Sequence, residues 1–144
     1  MADKSRNPEP RYNKLTIGVS AKTADGKPIE VEGCTVTQLA SEEEGTLTAK
    51  AGTTKVVLKG KITELNCNDN KLKALNVRGL TALQELECRK NQLSTLDVSG
   101  LTSLKNLGCN SNQLTSLNVQ GCTALQMLGC FTNKLSELNV QGLT

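Results

Sequence analysis

The chain has 144 residues and a formal net charge of +3, enough length for one domain or a small cap with a short array. It contains no histidine and no tryptophan, one tyrosine and one phenylalanine. The missing histidine excludes Ser-His-Asp and Cys-His catalysis within these residues. The charge, small and spread along the chain, forms no basic stripe, so no nucleic-acid partner is expected.

Residues 1–13 are polar and proline-containing and are expected to be a disordered leader. The opening residues lack the apolar core of a secretory signal, and no run approaches the roughly 20 apolar residues of a membrane span. No transmembrane segment is expected. Residues 14–61 read as a β-rich N-terminal cap. Leu15 to Val19 alternates like a half-buried strand. Asp25-Gly26 reads as a hairpin turn, with Ile29 and Val31 on the returning strand. Ser41 to Gly45 is a solvated loop, and Thr46–Lys50 and Thr54–Lys59 are two more strands. Val56-x-Leu58-x-Gly60 matches Leu75-x-Val77-x-Gly79, which makes 56–60 look like the back half of a turn preceding the first repeat. Cys34 reads as a buried cap thiol, with no histidine or evident cationic neighbour to make it reactive.

From residue 62 to 144 the chain repeats every 21 residues, four times, without insertion or deletion. Ile62, Leu83, Leu104 and Leu125 open the turns, and Leu65, Leu86, Leu107 and Leu128 follow. A cysteine ladder comes next (Cys67, Cys88, Cys109, Cys130), then an asparagine ladder (Asn70, Asn91, Asn112, Asn133). Leu75-x-Val77 and its copies give a second inward pair, and Gly79 and its copies a tight turn with positive φ. The second leucine and the cysteine are two apart, so both point to one face of an extended segment. Successive segments are then expected to pair as a parallel sheet with neighbours about 4.8 Å apart. The asparagines fall where the chain leaves each strand. They are expected to bond stranded backbone groups and also one another along the array.

The cysteines invite other readings. Parallel thiols on strands about 4.8 Å apart are too far apart to form a disulfide, which needs about 3.5–4.5 Å between β-carbons. A line of them makes no zinc tetrahedron. They read as small core residues, and Cys122, which replaces a leucine in its row, is expected to be buried too. No cofactor or metal is expected.

The pattern L-x-x-L-x-C-x-x-N-x-L-x-x-L-[ND]-V-x-G-[LC]-T over residues 62–144 resembles the repeats of internalin J type found in internalin-like bacterial surface proteins. That resemblance implies a leucine-rich-repeat solenoid, mostly β. A parallel sheet would line its concave face, with short β segments or turns on the convex face. It also implies a secreted or cell-surface protein whose array meets a protein or glycan on host or bacterial surfaces. The first 61 residues differ from the helical cap of that family, and no cell-wall sorting signal is present. The fourth turn stops one residue short of completion, which reads as truncation or as an open end available for self-association.

Positions that alternate with the inward leucines and cysteines are those a partner can read. They include Asn66, Glu85, Glu87, Arg89, Asn110, Met127 and Phe131. Phe131, beside glycines, either stacks on a peptide or sugar ring or covers the array edge. The expected function is non-enzymatic recognition or adhesion. The alternatives are a structural spacer or self-assembling array, and the substrate-recognition region of a larger enzyme.

Overall fold

The computed structural model describes residues 16–48, 56–136 and 138; the expected leader and residues 139–144 lie outside them. The described residues form eleven β-strands and no helix, so no helix is long and apolar enough to cross a membrane. In chain order the strands are β1 (Thr16–Thr23), β2 (Ile29–Glu32), β3 (Gln38–Leu39), β4 (Glu44–Thr48), β5 (Val57–Lys59) and β6 (Ile62–Asn66). They continue with β7 (Glu85–Glu87), β8 (Thr95–Asp97), β9 (Asn106–Gly108), β10 (Ser116–Asn118) and β11 (Met127–Gly129).

The repeats coil into a β-solenoid of about three turns. One strand per turn (β6, β7, β9, β11) joins its neighbours in parallel, in the register the 21-residue period dictates: Leu65 pairs with Leu86, Leu86 with Leu107 and Leu107 with Leu128. On the opposite wall β8 and β10 pair in parallel, Leu96 against Leu117. These are the short β segments expected behind the main sheet. The first turn has no such strand over 74–76. Between the walls lie the leucine rows, with Leu83, Leu86, Leu93, Leu104 and Leu114 wholly buried. A buried leucine contributes about 1.5–3 kcal/mol, but only a stacked neighbour can bury it, so the turns are stable together.

The cap extends this sheet and does not stack on it. β1 runs antiparallel to β6 on one side and to β4 on the other, so the main sheet reads β11-β9-β7-β6-β1-β4. The expected hairpin at Asp25-Gly26 is a bend between sheets: β2 pairs with β3 and β5, not with β1. Thr23 Oγ1 donates to the Lys27 carbonyl at 2.8 Å, and Asp25 Oδ1 accepts from Lys27 N–H at 3.1 Å. These bonds close the bend locally, which is why its sequence looks like a hairpin turn. Val57–Lys59 likewise belongs to the three-stranded cap sheet, antiparallel to β2, and not to the β8–β10 wall that its resemblance to Leu75–Gly79 suggested. Glu44 and Gly45, read as loop, already belong to β4.

At each bend off the main sheet the asparagine bonds backbone, not another asparagine. Asn91 Oδ1 accepts from Asn70 N–H (3.0 Å) and Leu72 N–H (2.9 Å) of the preceding turn. Its Nδ2 donates to the carbonyls of Cys67 (3.1 Å), Cys88 (3.0 Å) and Arg89 (3.2 Å). Asn112 and Asn133 repeat the pattern on Leu93 and Leu114. The expected side-chain contact along the ladder is replaced by these bonds, because the bend strands more backbone groups than a neighbouring carboxamide could satisfy. Asn70 has no earlier turn to hold and grips the cap, accepting from Gly18 N–H and donating to its carbonyl, both at 2.8 Å.

Asn91→Ala removes the partner of two backbone N–H groups in a side chain only 6% exposed. A loss of about 3 kcal/mol is expected, on the scale of one to two buried unsatisfied groups. Urea unfolding of the variant beside Thr102→Ala, an exposed position, checks it.

Candidate functional site

The outer face of the main sheet carries the side chains that the core does not use. Alternation about Leu65, Leu86, Leu107 and Leu128 turns the flanking residues outward. The strand register then lines them into rows. One row runs Lys22, Glu64, Glu85, Asn106, Met127. The next runs Glu44, Ser20, Asn66, Glu87, Gly108, Gly129. Beyond the strands a third follows the cysteines: Asn68, Arg89, Asn110, Phe131.

Asn66, Arg89, Met127 and Phe131 are exposed, and Glu85 and Glu87 half-buried. Met127 at 67% and Phe131 at 70% are two of the three large hydrophobics exposed among the described residues. Asn110 does not join them. It is 8% exposed, and its Oδ1 accepts from Phe131 N–H at 2.9 Å, so it is not available to a partner as expected. The cause lies one turn away. Gly129 has no side chain, and a Cβ there would meet the Asn110 carboxamide at 3.0 Å. Asn110 therefore lies down over Gly129. Asn68 makes the equivalent bond, accepting from Arg89 N–H at 2.6 Å, and is half-buried.

Gly108 plays the same part for a charged pair. Arg89 Nε stands 2.8 Å from Glu87 Oε1, and a Cβ on Gly108 would meet those atoms at 2.8 and 2.6 Å. The pair thus lies flat across the neighbouring strand and covers Gly108, which is buried. Glu85 Oε1 accepts from Asn106 Nδ2 at 3.0 Å, and Lys22 Nζ stands 3.9 Å from Glu64. Two open concavities sit where cap meets array. One of about 310 Å³ is lined by Lys22, Glu42, Glu64, Glu85 and Glu87 among others, and one of about 520 Å³ by Ser20, Glu44, Thr46, Asn66 and Asn68 among others.

Beneath this face the thiols are sealed. Cys67, Cys88 and Cys109 are buried, Cys130 half-buried, and none of the four is in a disulfide. Burial pushes the Cys67 and Cys109 thiols up to about 12 and raises Cys88 as well, with the neighbouring Cys67, Cys109 and Glu87 adding to it. Cys122 is also buried and donates its S–H to the Val98 carbonyl at 3.0 Å. No group of three metal-ligating side chains occurs among the described residues.

One structural row escaped the sequence reading. Asp69, Lys90, Ser111 and Thr132, each just before a ladder asparagine, have φ of 56–62°. Glycine would mark such a row, but here the residues share only polarity. The predicted glycine turns do have positive φ, at Gly79, Gly100 and Gly121.

Two outcomes are expected. A thiol whose folded pKa is raised contributes stability that is whole below its unfolded value, near 9, and is lost as pH rises toward about 12. Urea midpoints should therefore fall steeply above pH 9, less steeply in Cys88→Ala, while Cys67, Cys88 and Cys109 of the native protein resist alkylation at pH 8. Gly108→Ala should lift Glu87 and Arg89 off the sheet with a stability change below about 1 kcal/mol, because only flexible side-chain ends must move. Hydrogen exchange at Arg89 Nε, slow in the parent and fast in the variant, reads this. No family model, curated protein or solved structure matches the chain.

Proposed function

We propose that the chain is the recognition region of an exported, leucine-rich-repeat surface protein of the internalin-like kind. In this reading the main sheet lines the concave side and binds a macromolecular partner there, without catalysis. The observation that carries the proposal is the division of labour within each turn. Leucine, cysteine and asparagine rows are consumed by the core and the backbone bonds, while the outward rows vary from turn to turn and most of their side chains stay at least partly exposed, the buried Asn110 and Gly108 excepted. Outward residues on a rigid, regularly spaced sheet can vary at little cost to the fold, which suits a binding surface. The absence of histidine from the sequence supports a non-enzymatic role.

The test is binding of the immobilised chain to a panel of matrix proteins, glycans and bacterial surfaces, beside a Phe131→Ser, Glu87→Lys double variant. Retained fold with at least about tenfold weaker binding in the variant is the expected result, on the scale of a lost interface anchor. No binding by either protein, with circular dichroism unchanged, refutes the recognition role and favours a spacer.

A further inference from the structure

The uncovered face of the main sheet is graded along the array. Toward the cap, Glu42, Glu44, Glu64, Glu85 and Glu87 set five carboxylates against two cations, Lys22 and Arg89, although the whole chain is net basic at +3. Both cations are already engaged, Lys22 with Glu64 and Arg89 with Glu87. Glu85 has only the neutral Asn106 amide, and no ion pair answers Glu42 or Glu44 among the described residues. Toward the last turn the same face becomes apolar, with Met127 and Phe131 standing exposed on either side of Gly129. Because parallel strands hold a fixed spacing, Glu64 and Met127 are three strand intervals apart, roughly 14 Å.

We propose that this face docks an extended polypeptide segment laid across the strands. Its lysine or arginine side chains enter the concavity lined by Glu42, Glu64, Glu85 and Glu87. A large apolar side chain about four residues further along rests on Met127 and Phe131. The inference rests on the recognition reading above and narrows it to one partner chemistry by charge complementarity. A polyanion is repelled by the excess of carboxylates, and a neutral glycan has no cation to answer them. A basic segment supplies the missing charge, and an apolar side chain covers the exposed pair. At about 3.3 Å per residue, four residues span the interval.

The probe is a blocked octapeptide with two lysines near one end and phenylalanine and leucine near the other, titrated by fluorescence anisotropy against the full chain. Binding is expected to weaken about fivefold or more between 50 and 300 mM salt, as exposed charge pairs are screened. Glu85→Lys and Phe131→Ser should each weaken it about tenfold, and the peptide with glutamate for lysine should not bind. Both positions point outward, and circular dichroism identifies any variant that misfolds. Glu42→Lys, in the cap and outside the repeats, is then the second charge variant. Equal affinity for the lysine and glutamate peptides overturns the proposal. So does binding of a neutral N-acetylglucosamine tetrasaccharide alone, which would leave the broader recognition reading standing. Binding of neither probe overturns it as well, while the panel experiment separately decides whether the face recognises anything.

Discussion

A chain that bends sharply off a strand once per turn leaves N–H and C=O groups pointing into its own interior, where water cannot reach them. In this solenoid the carboxamides of Asn91, Asn112 and Asn133 answer that need, each joining the backbone of its own turn to that of the turn before. A carboxamide suits this because it carries an acceptor and two donor hydrogens on one rigid plane. Serine lacks the reach, and aspartate lacks the donors that meet the cysteine carbonyls. The leucine rows supply the driving force for stacking, and in the register of the 21-residue period each asparagine meets the bend of the turn before it. Among buried side-chain polar atoms in the described residues none lacks a hydrogen bond, which is the outcome a low-dielectric interior requires.

The cysteine row follows from the same geometry. Cys67, Cys88 and Cys109 are buried within the coil, where a thiol behaves as a small hydrophobe with little polar demand of its own. The raised thiol pKa values report that dry environment, since burial is the first cause in each of them. Neighbouring thiols form no disulfide, in keeping with the strand spacing.

How much of this was legible from residues alone depends on how far the cause lies from the effect. The main-sheet strands and the back wall were readable because their cause is internal to each repeat: alternation in Leu86-x-Cys88 and a period of 21. The glycine bends at Gly79, Gly100 and Gly121 were readable for the same reason. The cap was harder. Asp25-Gly26 announces a bend, but a bend does not say which strand the chain then joins, and β2 turned to β3 and β5. Asn110 was misplaced because its burial depends on Gly129, 19 positions later, where a side chain would collide with its carboxamide. The signal lay in the glycine of the adjacent row, not in Asn110's own row, whose next member is Phe131. The left-handed row at Asp69, Lys90, Ser111 and Thr132 carried no glycine to mark it.

The bond from Asn70 to Gly18 gives the molecule a direction. Each ladder asparagine completes the bend of the turn before it, so a bend is finished only when its successor arrives, and the first asparagine finds its partner in β1, a strand that belongs to no repeat. The cap strand is thereby a template. It offers the first turn the backbone groups that every later turn receives from its predecessor, and it does so along an antiparallel pairing that needs no coil to exist beforehand. The Asn70–Gly18 bonds and the pairing of β1 with β6 thus complete the cap end of the array without a repeat before it. A slip in register at any point would leave the asparagine without its bend.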